Sequence, residues 1–387
     1  MSISRFDVRS RVSFVGARHG VSLLEDAIIR VARSCLRRRT LPGITCAVLI
    51  AAASLYATPQ LPEDIHDMAQ ASIGYVFQDK FKLAEEEAKK IIKKYPAHPA
   101  GYFFCAAAIE SWMVYYESDK REEEFYRLCD QTIEAAENAV AKDPGDAWAL
   151  FFMGGADGAK GTYESRYEKW ITSFRHGWKG VSTLQALYKK FPDIKDIYYG
   201  LGMYDYWRTA LTKVLWWMPG IQNRTQEGIR ELFVAKNEGV YTAISAGADL
   251  ARILNNEKRY QEALTIAEEM LLKFPGSLLF CKEKAAALFG LGNYGEAEAM
   301  YRFILERVET ESLDNHYIAT VCHFWLAKIF LKMNRYTQSI VECNRMGYYN
   351  FDKDVRKRLD KYFSEAAKLK DQAQAANIKN PESEIVP

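Results

Sequence analysis

One helical pattern occurs twice between Gly247 and Tyr301, with the two copies 34 residues apart. Small, aliphatic or aromatic residues fill the same places in both copies. The matched positions are Ala251 with Ala285, Leu254 with Leu288, Tyr260 with Tyr294, Ala263 with Ala297, and Ala267 with Tyr301. A fixed period of about this length indicates a supersecondary unit that buries its apolar face by stacking on the next unit. The chain is therefore constrained to a repeat architecture.

The phrases RYQEA at Arg259–Ala263 and NYGEA at Asn293–Ala297 lie at the start of the second helix of each copy. With their spacing they resemble the tetratricopeptide repeat (TPR), a helix–turn–helix unit. Ile65–His98 fits the same 34-residue period, as does a last unit near 320–353. The resemblance covers 65–353 and implies an all-α, helix-hairpin (TPR-like) superhelical solenoid of about seven hairpins. It also implies a non-catalytic scaffold whose concave face binds a protein or peptide partner.

Three units in the middle of the chain are longer than the rest. Pro96, Pro144 and Pro192 follow one another at intervals of 48 residues, and proline ends a helix because it cannot donate its amide. The elongated units are predicted at 99–146, 147–194 and 195–242. Longer helices and a loop insertion both account for the added length, and the spacing of apolar residues favours longer helices.

The C-terminal part of the chain departs from the strict period. Extra residues at Ser312–Ala319 are predicted to precede the last unit. Residues 354–378 are charged and favour helix, which is typical of the polar capping helix that covers the open end of a solenoid. Residues 379–387 are predicted to be disordered.

The first 57 residues differ in charge from the rest. They hold nine Arg, no Lys and three acidic residues, whereas the remainder carries a net charge of −4. The residues after 57 carry a mildly negative net charge, so the sequence does not predict a nucleic-acid-binding surface there. The seven cysteines form no C-x-x-C pair and are interpreted as small buried hydrophobes.

An apolar run at Ile44–Tyr56 follows the three arginines of Arg37–Arg39. A basic flank before a short apolar run predicts an export signal within 1–57, followed by a linker at 58–64. This interpretation places the protein in the periplasm or cell envelope of a bacterium. An uncleaved membrane anchor through 41–57, a mitochondrial-type presequence and a buried helix are the alternatives.

The densest aromatic region spans residues 198–220. Aromatic side chains either fill the wide apolar faces of stacked helices or supply the anchors of a partner-binding surface. The candidates for partner binding are Tyr198, Tyr199, Tyr206, Trp207, Trp216, Trp217 and Arg224. The run Tyr198–Trp207 is similar to one in bacterial envelope repeat proteins, and Trp217–Ile221 is similar to a segment of eukaryotic inclusion-body-clearance repeat proteins.

Asp157 and Asp205 lie 48 residues apart, each three residues after a glycine. If each faces the second helix of its hairpin, the carboxylate is buried and requires partners. The basic candidates are Arg175, His176, Arg208 and Arg224. A structural ion-pair network and a polar pocket for a small molecule or glycan are the two interpretations.

No catalytic or cofactor motif is recognisable. In Gly154–Thr162 the residue after Lys160 is glycine rather than Ser or Thr, and no strand precedes it, so a phosphate-binding loop is not expected. The histidines and cysteines lack metal-ligand spacing, so no metal is predicted. Without a nucleophile–base pair, we expect neither an enzyme nor a bound cofactor.

Overall fold

The computed structural model describes residues 59–212, 223–310 and 315–379, and these form fifteen α-helices, one 3-10 turn and no β-strand. The helices are α1 (Glu63–Phe77), α2 (Phe81–Lys94), α3 (Pro99–Tyr116), α4 (Glu122–Lys142), α5 (Ala147–Arg166), α6 (Trp170–Lys190), α7 (Ile197–Thr212), α8 (Thr225–Glu238), α9 (Ala243–Asn256), α10 (Tyr260–Lys273), α11 (Leu278–Leu291), α12 (Tyr294–Thr310), α13 (His316–Lys332), α14 (Tyr336–Arg345) and α15 (Lys353–Lys379). Each helix from α1 to α14 packs against the next, so the chain forms seven stacked helical hairpins followed by α15. The all-α solenoid of TPR type is confirmed.

The 34-residue register is also confirmed. Ala251 and Leu254 of α9 are fully buried, and so are Ala263 and Ala267 of α10. Their counterparts on α11 and α12 are equally buried, with Tyr301 at the place of Ala267. The small residues let the two helices of a hairpin approach, and the larger ones fill the space between hairpins.

The tight turns between paired helices use one residue in the left-handed region at equivalent places. These residues are Asp79, Lys258, Gly292 and Asn334, with φ between 59° and 82°. In the fifth hairpin the amide of Arg259 donates to the carbonyl of Leu254, which satisfies a carbonyl at the end of α9. The same ending in successive units keeps the hairpins alike.

Longer helices account for two of the three elongated units. Helices α3 to α6 have 18 to 21 residues, whereas α9 and α10 have 14 each. The third unit differs, because α8 has only 14 residues and begins at Thr225. Its extra residues fall between Thr212 and Thr225, where 213–222 lie outside the described residues.

Four of the eight extra residues predicted at Ser312–Ala319 lie in a helix. Helix α12 continues to Thr310 and α13 already begins at His316, and each has 17 residues. Residues 311–314 lie outside the described residues. Part of the added length in this region therefore lies in two packed helices.

Odd- and even-numbered helices differ in how they are buried. Helix α2 buries Phe81, Ala84, Ala88 and Ile91, which form one stripe along the helix. Helix α13 buries residues on almost every side, including the run 319–324. The even-numbered helices therefore lie on the outside, and the odd-numbered helices line the interior.

The first hairpin packs against the fifth and sixth hairpins. The Nδ1 atom of His66 lies 2.9 Å from the hydroxyl of Tyr241, which precedes α9. The Phe77 ring lies 5.8 Å from the ring of Phe274 and stacks on the ring of Phe280 at 5.7 Å. The inner side of the solenoid is thus in contact with itself.

The same closure continues one hairpin further along. The Asp79 carboxylate accepts hydrogen bonds from the amide of Leu278 and from Arg307, both at 3.0 Å. The side-chain amide of Asn315 donates to the carbonyl of Tyr115 at 2.7 Å. The concave face is therefore a packed interior along this seam, whereas the resemblance implied an open groove.

Several predicted features lie outside the described residues. They include 1–57, with the predicted signal or anchor, and 380–387 of the predicted disordered tail. Among the helices that the structure describes, none is both long enough and apolar enough to span a membrane.

Candidate binding surfaces

Glycine brings two helix pairs into close contact. A Cβ atom on Gly180 of α6 would lie 2.6 Å from the carbonyl oxygen of Gly154 on α5. A Cβ atom on Gly202 of α7 would lie 2.7 Å from the carbonyl oxygen of Gly228 on α8. Any larger residue would push the backbones apart. This contact places the side chains that follow the glycines directly against the partner helix.

Asp157 is the first of these side chains, and it is only 1% exposed. Its Oδ1 lies 3.5 Å from Nδ1 of His176, and its Oδ2 lies 3.2 Å from Nζ of Lys179. Beyond His176 lies Glu164, which accepts a hydrogen bond of 3.2 Å from the hydroxyl of Tyr126. Within the described residues, neither oxygen of Asp157 accepts a well-aligned hydrogen bond. The site is a charged cluster with unused acceptors.

Asp205 occupies the equivalent place in the next hairpin. Its Oδ2 lies 2.8 Å from Nε of Arg224, and its Oδ1 lies 4.0 Å from Arg208. Burial raises the pKa of Asp205, against the opposing effect of the two arginines. Burial, and then the charge of Asp205, raises the pKa of the nearby Glu231 to about 7. This second cluster is better paired than the first.

The two clusters are repeats of one another. The partners are Asp157 with His176 in one unit and Asp205 with Arg224 in the next, and both pairs are separated by the same 48 residues. One unit earlier the same positions hold Ile109 and Leu128, which are both buried. The hairpin therefore folds with an apolar pair in this place, and the polar pair is not needed to build it.

One predicted basic partner does not join these clusters, and two of the aromatic candidates lie outside the described residues. Arg175 was a candidate partner for the aspartates, but it is exposed and makes no ion pair within the described residues. It precedes His176 by one position, so it projects about 100° away around the helix. Trp216 and Trp217 lie within 213–222, outside the described residues.

Two of the aromatic candidates belong to the interior. The hydroxyl of Tyr199 donates to Asp249 at 2.8 Å, and burial raises the pKa of this tyrosine. Tyr206 is buried, and its hydroxyl lies 3.4 Å from a carboxylate oxygen of Glu257. Through these hydroxyl groups Tyr199 links α7 to α9, and Tyr206 links α7 to the residue that follows α9.

The other two described aromatic candidates are half-buried. The Tyr198 ring meets the ring of Tyr188 edge-on, with centroids 5.6 Å apart. The guanidinium of Arg252 lies 5.4 Å from the ring centre of Trp207, a cation–π contact. Both contacts are made to residues of a neighbouring hairpin.

The interior also holds a group of polar side chains on α3, α9 and α11. Asp249 forms an ion pair with Arg252, and the amide of Asn255 donates to Glu283 at 3.0 Å. Burial raises the pKa of Glu110 to about 7. The contact between Asn255 and Glu283 joins α9 to α11, two of the helices that line the closed interior.

The outer face of α6 carries an apolar patch that sequence analysis missed. Ile171 is 88% exposed, Phe174 is 37% exposed and Trp178 is 53% exposed. Their spacing of three and four residues places them on one side of the helix. We call these three residues the α6 stripe. Their helical spacing was visible in the sequence, but it equally fits a stripe that faces the core.

A second open feature is a cleft of about 710 Å³ where the first hairpin meets the fifth and sixth. Phe303 is 43% exposed at this place. We call this feature the seam cleft. Its lining residues are Gln78, Lys80, Lys273, Phe274, Pro275, Gly276, Phe303, Glu306, Arg307 and Thr310. Sequence reasoning could not find it, because its walls come from hairpins about 200 residues apart.

The described residues show no group of three or more His, Cys, Asp or Glu side chains placed to hold a metal ion. The segment Gly154–Thr162 lies inside α5, so it is not a phosphate-binding loop. Burial raises the pKa of Cys105 and Cys281 to about 11, which keeps both as thiols.

No family model matches the chain, and no curated protein matches it. Among solved structures it is similar to a thermophilic TPR protein from Thermus thermophilus, with 15% identity over 58% of this chain and 99% of the other, at a TM-score of 0.37. A tetratricopeptide repeat protein from Parabacteroides merdae shows 15% identity over 78% of this chain and 100% of the other, at a TM-score of 0.34. The TPR domain of P58(IPK) shows 15% identity over 92% and 96%, at a TM-score of 0.24. The TPR-like fold therefore rests on this chain's own hairpins and register.

Proposed function

We propose that the protein is a non-catalytic interaction scaffold that binds a segment of a partner protein in the seam cleft. The observation that carries the proposal is the cleft itself, an open space of about 710 Å³ beside a closed interior. Clefts of this size at the junction of two packed units are common ligand sites. The seam contacts of Asp79 hold the walls together, so a partner would meet a preformed site.

The lining of the cleft indicates the chemistry of the partner segment. Phe303 is half-exposed and lines the cleft together with Pro275, which suits an apolar side chain. Lys80 and Lys273 also line the cleft, as does Glu306, and the two lysine charges suit acidic residues close to that side chain. The proposed ligand is a short, extended segment with an apolar residue next to acidic ones.

A photo-crosslinking amino acid at position 303 of the full chain, expressed in its own cells, tests the proposal. We expect a crosslink to one partner protein, and we expect Lys273→Glu to weaken it at least tenfold. The same crosslinker at Tyr348, which is exposed far along the chain, is the control. Identical adducts from both positions, or none from position 303, would contradict the proposal.

We also propose that the scaffold is exported to the cell envelope. The support is the basic segment of residues 1–57 with its apolar run, and the anchor through 41–57 is the alternative. The mass of the native protein tests it. Cleavage near residue 57 is the expected result, and a mature chain that begins at Ser2 would exclude cleavage.

A second candidate function is a receptor for a small molecule or a glycan at Asp157. The observation in its favour is that both buried oxygens of this carboxylate lack a well-aligned hydrogen bond within the described residues. A ligand that binds there should raise the melting temperature of the protein, and Asp157→Asn should abolish that rise. Phe303→Ala should leave it unchanged, which separates this function from cleft binding.

A further inference from the structure

Helix α6 combines a buried side and an exposed apolar side. Gly180, Leu184 and Leu187 are buried, and Gly180 packs against α5. The α6 stripe lies on the opposite side of the helix and spans about 10 Å, or two turns. Exposed apolar residues scattered singly are ordinary, but three on one face of one helix call for an explanation.

The charge of α6 is also one-sided. No acidic residue occurs between Glu168 and Asp193, whereas this stretch holds five basic residues. Lys169 and Lys179 each pair with a carboxylate of a neighbouring helix. The remaining three, which form no ion pair within the described residues, are Arg175, Lys189 and Lys190. The exposed side of α6 therefore carries the apolar stripe with Arg175 beside it and with Lys189 and Lys190 about three turns further on, whereas Glu168 precedes the helix.

This combination is local to α6. In α4, one unit earlier, the positions of Ile171 and Trp178 hold Glu123 and Asp130. In α10, Leu272 is 85% exposed but is the only large hydrophobic residue exposed on that helix. A general property of the outer helices would appear in these units as well.

We propose that the outer face of α6 docks on an anionic lipid bilayer. The α6 stripe would enter the boundary between headgroups and acyl chains, and the basic residues would lie among the headgroups. Exposed Trp, Phe and Ile flanked by Lys and Arg are the composition of helices that lie in a membrane interface. Anionic lipid attracts each basic residue near the surface, while like-charged neighbours would keep a second copy of this basic face away.

A bilayer suits this surface better than a protein does. The stripe is a ridge on an outer helix, and a protein partner would have to supply a matching groove with acidic edges. A bilayer deforms around a ridge and needs no fixed complementarity. The proposal is independent of the seam cleft, whose lining lies on other helices. With three apolar residues and three unpaired charges, the attachment is reversible and sensitive to salt.

Co-sedimentation of the full chain with vesicles tests the proposal. Phosphatidylcholine vesicles with and without about one third phosphatidylserine are compared at low and high salt. One variant carries Ile171→Ser, Phe174→Ser and Trp178→Ser, and another carries Arg175→Gln, Lys189→Gln and Lys190→Gln. Matched controls are Leu272→Ser for the apolar change, and Lys82→Gln with Lys93→Gln for the charge change, since both lysines are exposed on α2.

We expect each α6 variant to lose at least about tenfold in affinity for anionic vesicles, and the controls to bind like the natural chain. Slower amide exchange of residues 170–182 on anionic vesicles would locate the contact on α6. Equal binding by all variants would show that another part of the chain meets the membrane, and would overturn the proposal. The proposal would also be overturned if the natural chain did not bind anionic vesicles while the α6 variants lost a protein partner.

Discussion

The second and third hairpins are built on the same plan with different contents. Both consist of two long helices, and equivalent residues lie 48 positions apart. Between the helices, Ile109 in the second hairpin corresponds to Asp157 in the third. On the outside, Asp130 of α4 corresponds to the exposed Trp178 of α6. At these two positions the earlier hairpin is apolar inside and charged outside, and the later one reverses this order.

This comparison separates the residues that the hairpin needs for folding from those that it does not. The second hairpin shows that the backbone needs no polar pair inside and no aromatic residue outside. Buried charge and exposed apolar surface both cost stability, so their presence in the third hairpin indicates a role other than folding. The predictions below exchange features between the two hairpins.

The largest effect is expected from the helix contact itself. Gly180 of α6 corresponds to Thr132 of α4, which is buried and donates its hydroxyl to the carbonyl of Leu128. Gly180→Thr should lower the free energy of unfolding by about 3 kcal/mol, because the new Cβ would meet the backbone of Gly154. Thr132→Gly should cost about 1 to 2 kcal/mol. Urea denaturation measures both, and equal costs would show that the two hairpins pack alike.

A smaller effect is expected from the buried polar pair. Asp157→Ile with His176→Leu copies the apolar pair of the second hairpin. Replacing buried charged groups by well-packed apolar residues is often neutral or stabilising, so we expect a gain of up to about 2 kcal/mol in the free energy of unfolding. Asp205→Ile with Arg224→Leu repeats the exchange in the next unit as a control. A loss above about 1 kcal/mol would show that the polar pair is structural.

The third effect depends on pH and concerns Glu110, whose counterpart in the third hairpin is Gly158. Burial raises the pKa of Glu110 from 4.5 to about 7, so the folded state holds the proton more tightly than the unfolded state. Stability from this group is full at low pH and falls as pH rises from about 4.5 to about 7. Glu110→Gln should remove this fall and stabilise the protein by on the order of 1 kcal/mol at pH 8. Unfolding at pH 4 and pH 8 measures it, and Gly158→Ala is the control without a charge.

Local features of this fold could be predicted from the sequence, but contacts between distant hairpins could not. The period of 34 specified the burial of Ala251 and Ala263, because helix pairing is a property of neighbouring residues. The 48-residue interval in the sequence likewise predicted that Asp157 and Asp205 occupy equivalent positions. The closure of the interior depends on the rotation between successive hairpins, which accumulates along the chain and has no local signature. Phe77 and Phe280 meet for that reason, and the seam cleft forms for the same reason.

The smallest effect on stability should come with the largest effect on binding. Ile171→Glu with Trp178→Asp gives α6 the outer residues of α4. Ile171 is 88% exposed and Trp178 is 53% exposed, with its ring centre 6.4 Å from that of Tyr204, so the free energy of unfolding should change by less than about 1 kcal/mol. The same change adds two negative charges to a basic face and removes two of its three apolar anchors, so vesicle binding should be lost. The reverse exchange on α4, Glu123→Ile with Asp130→Trp, should not create binding, because Glu122, Glu124 and Glu134 keep that face acidic. Vesicle binding by the α4 variant would show that apolar exposure alone is sufficient and that the basic residues of α6 are dispensable.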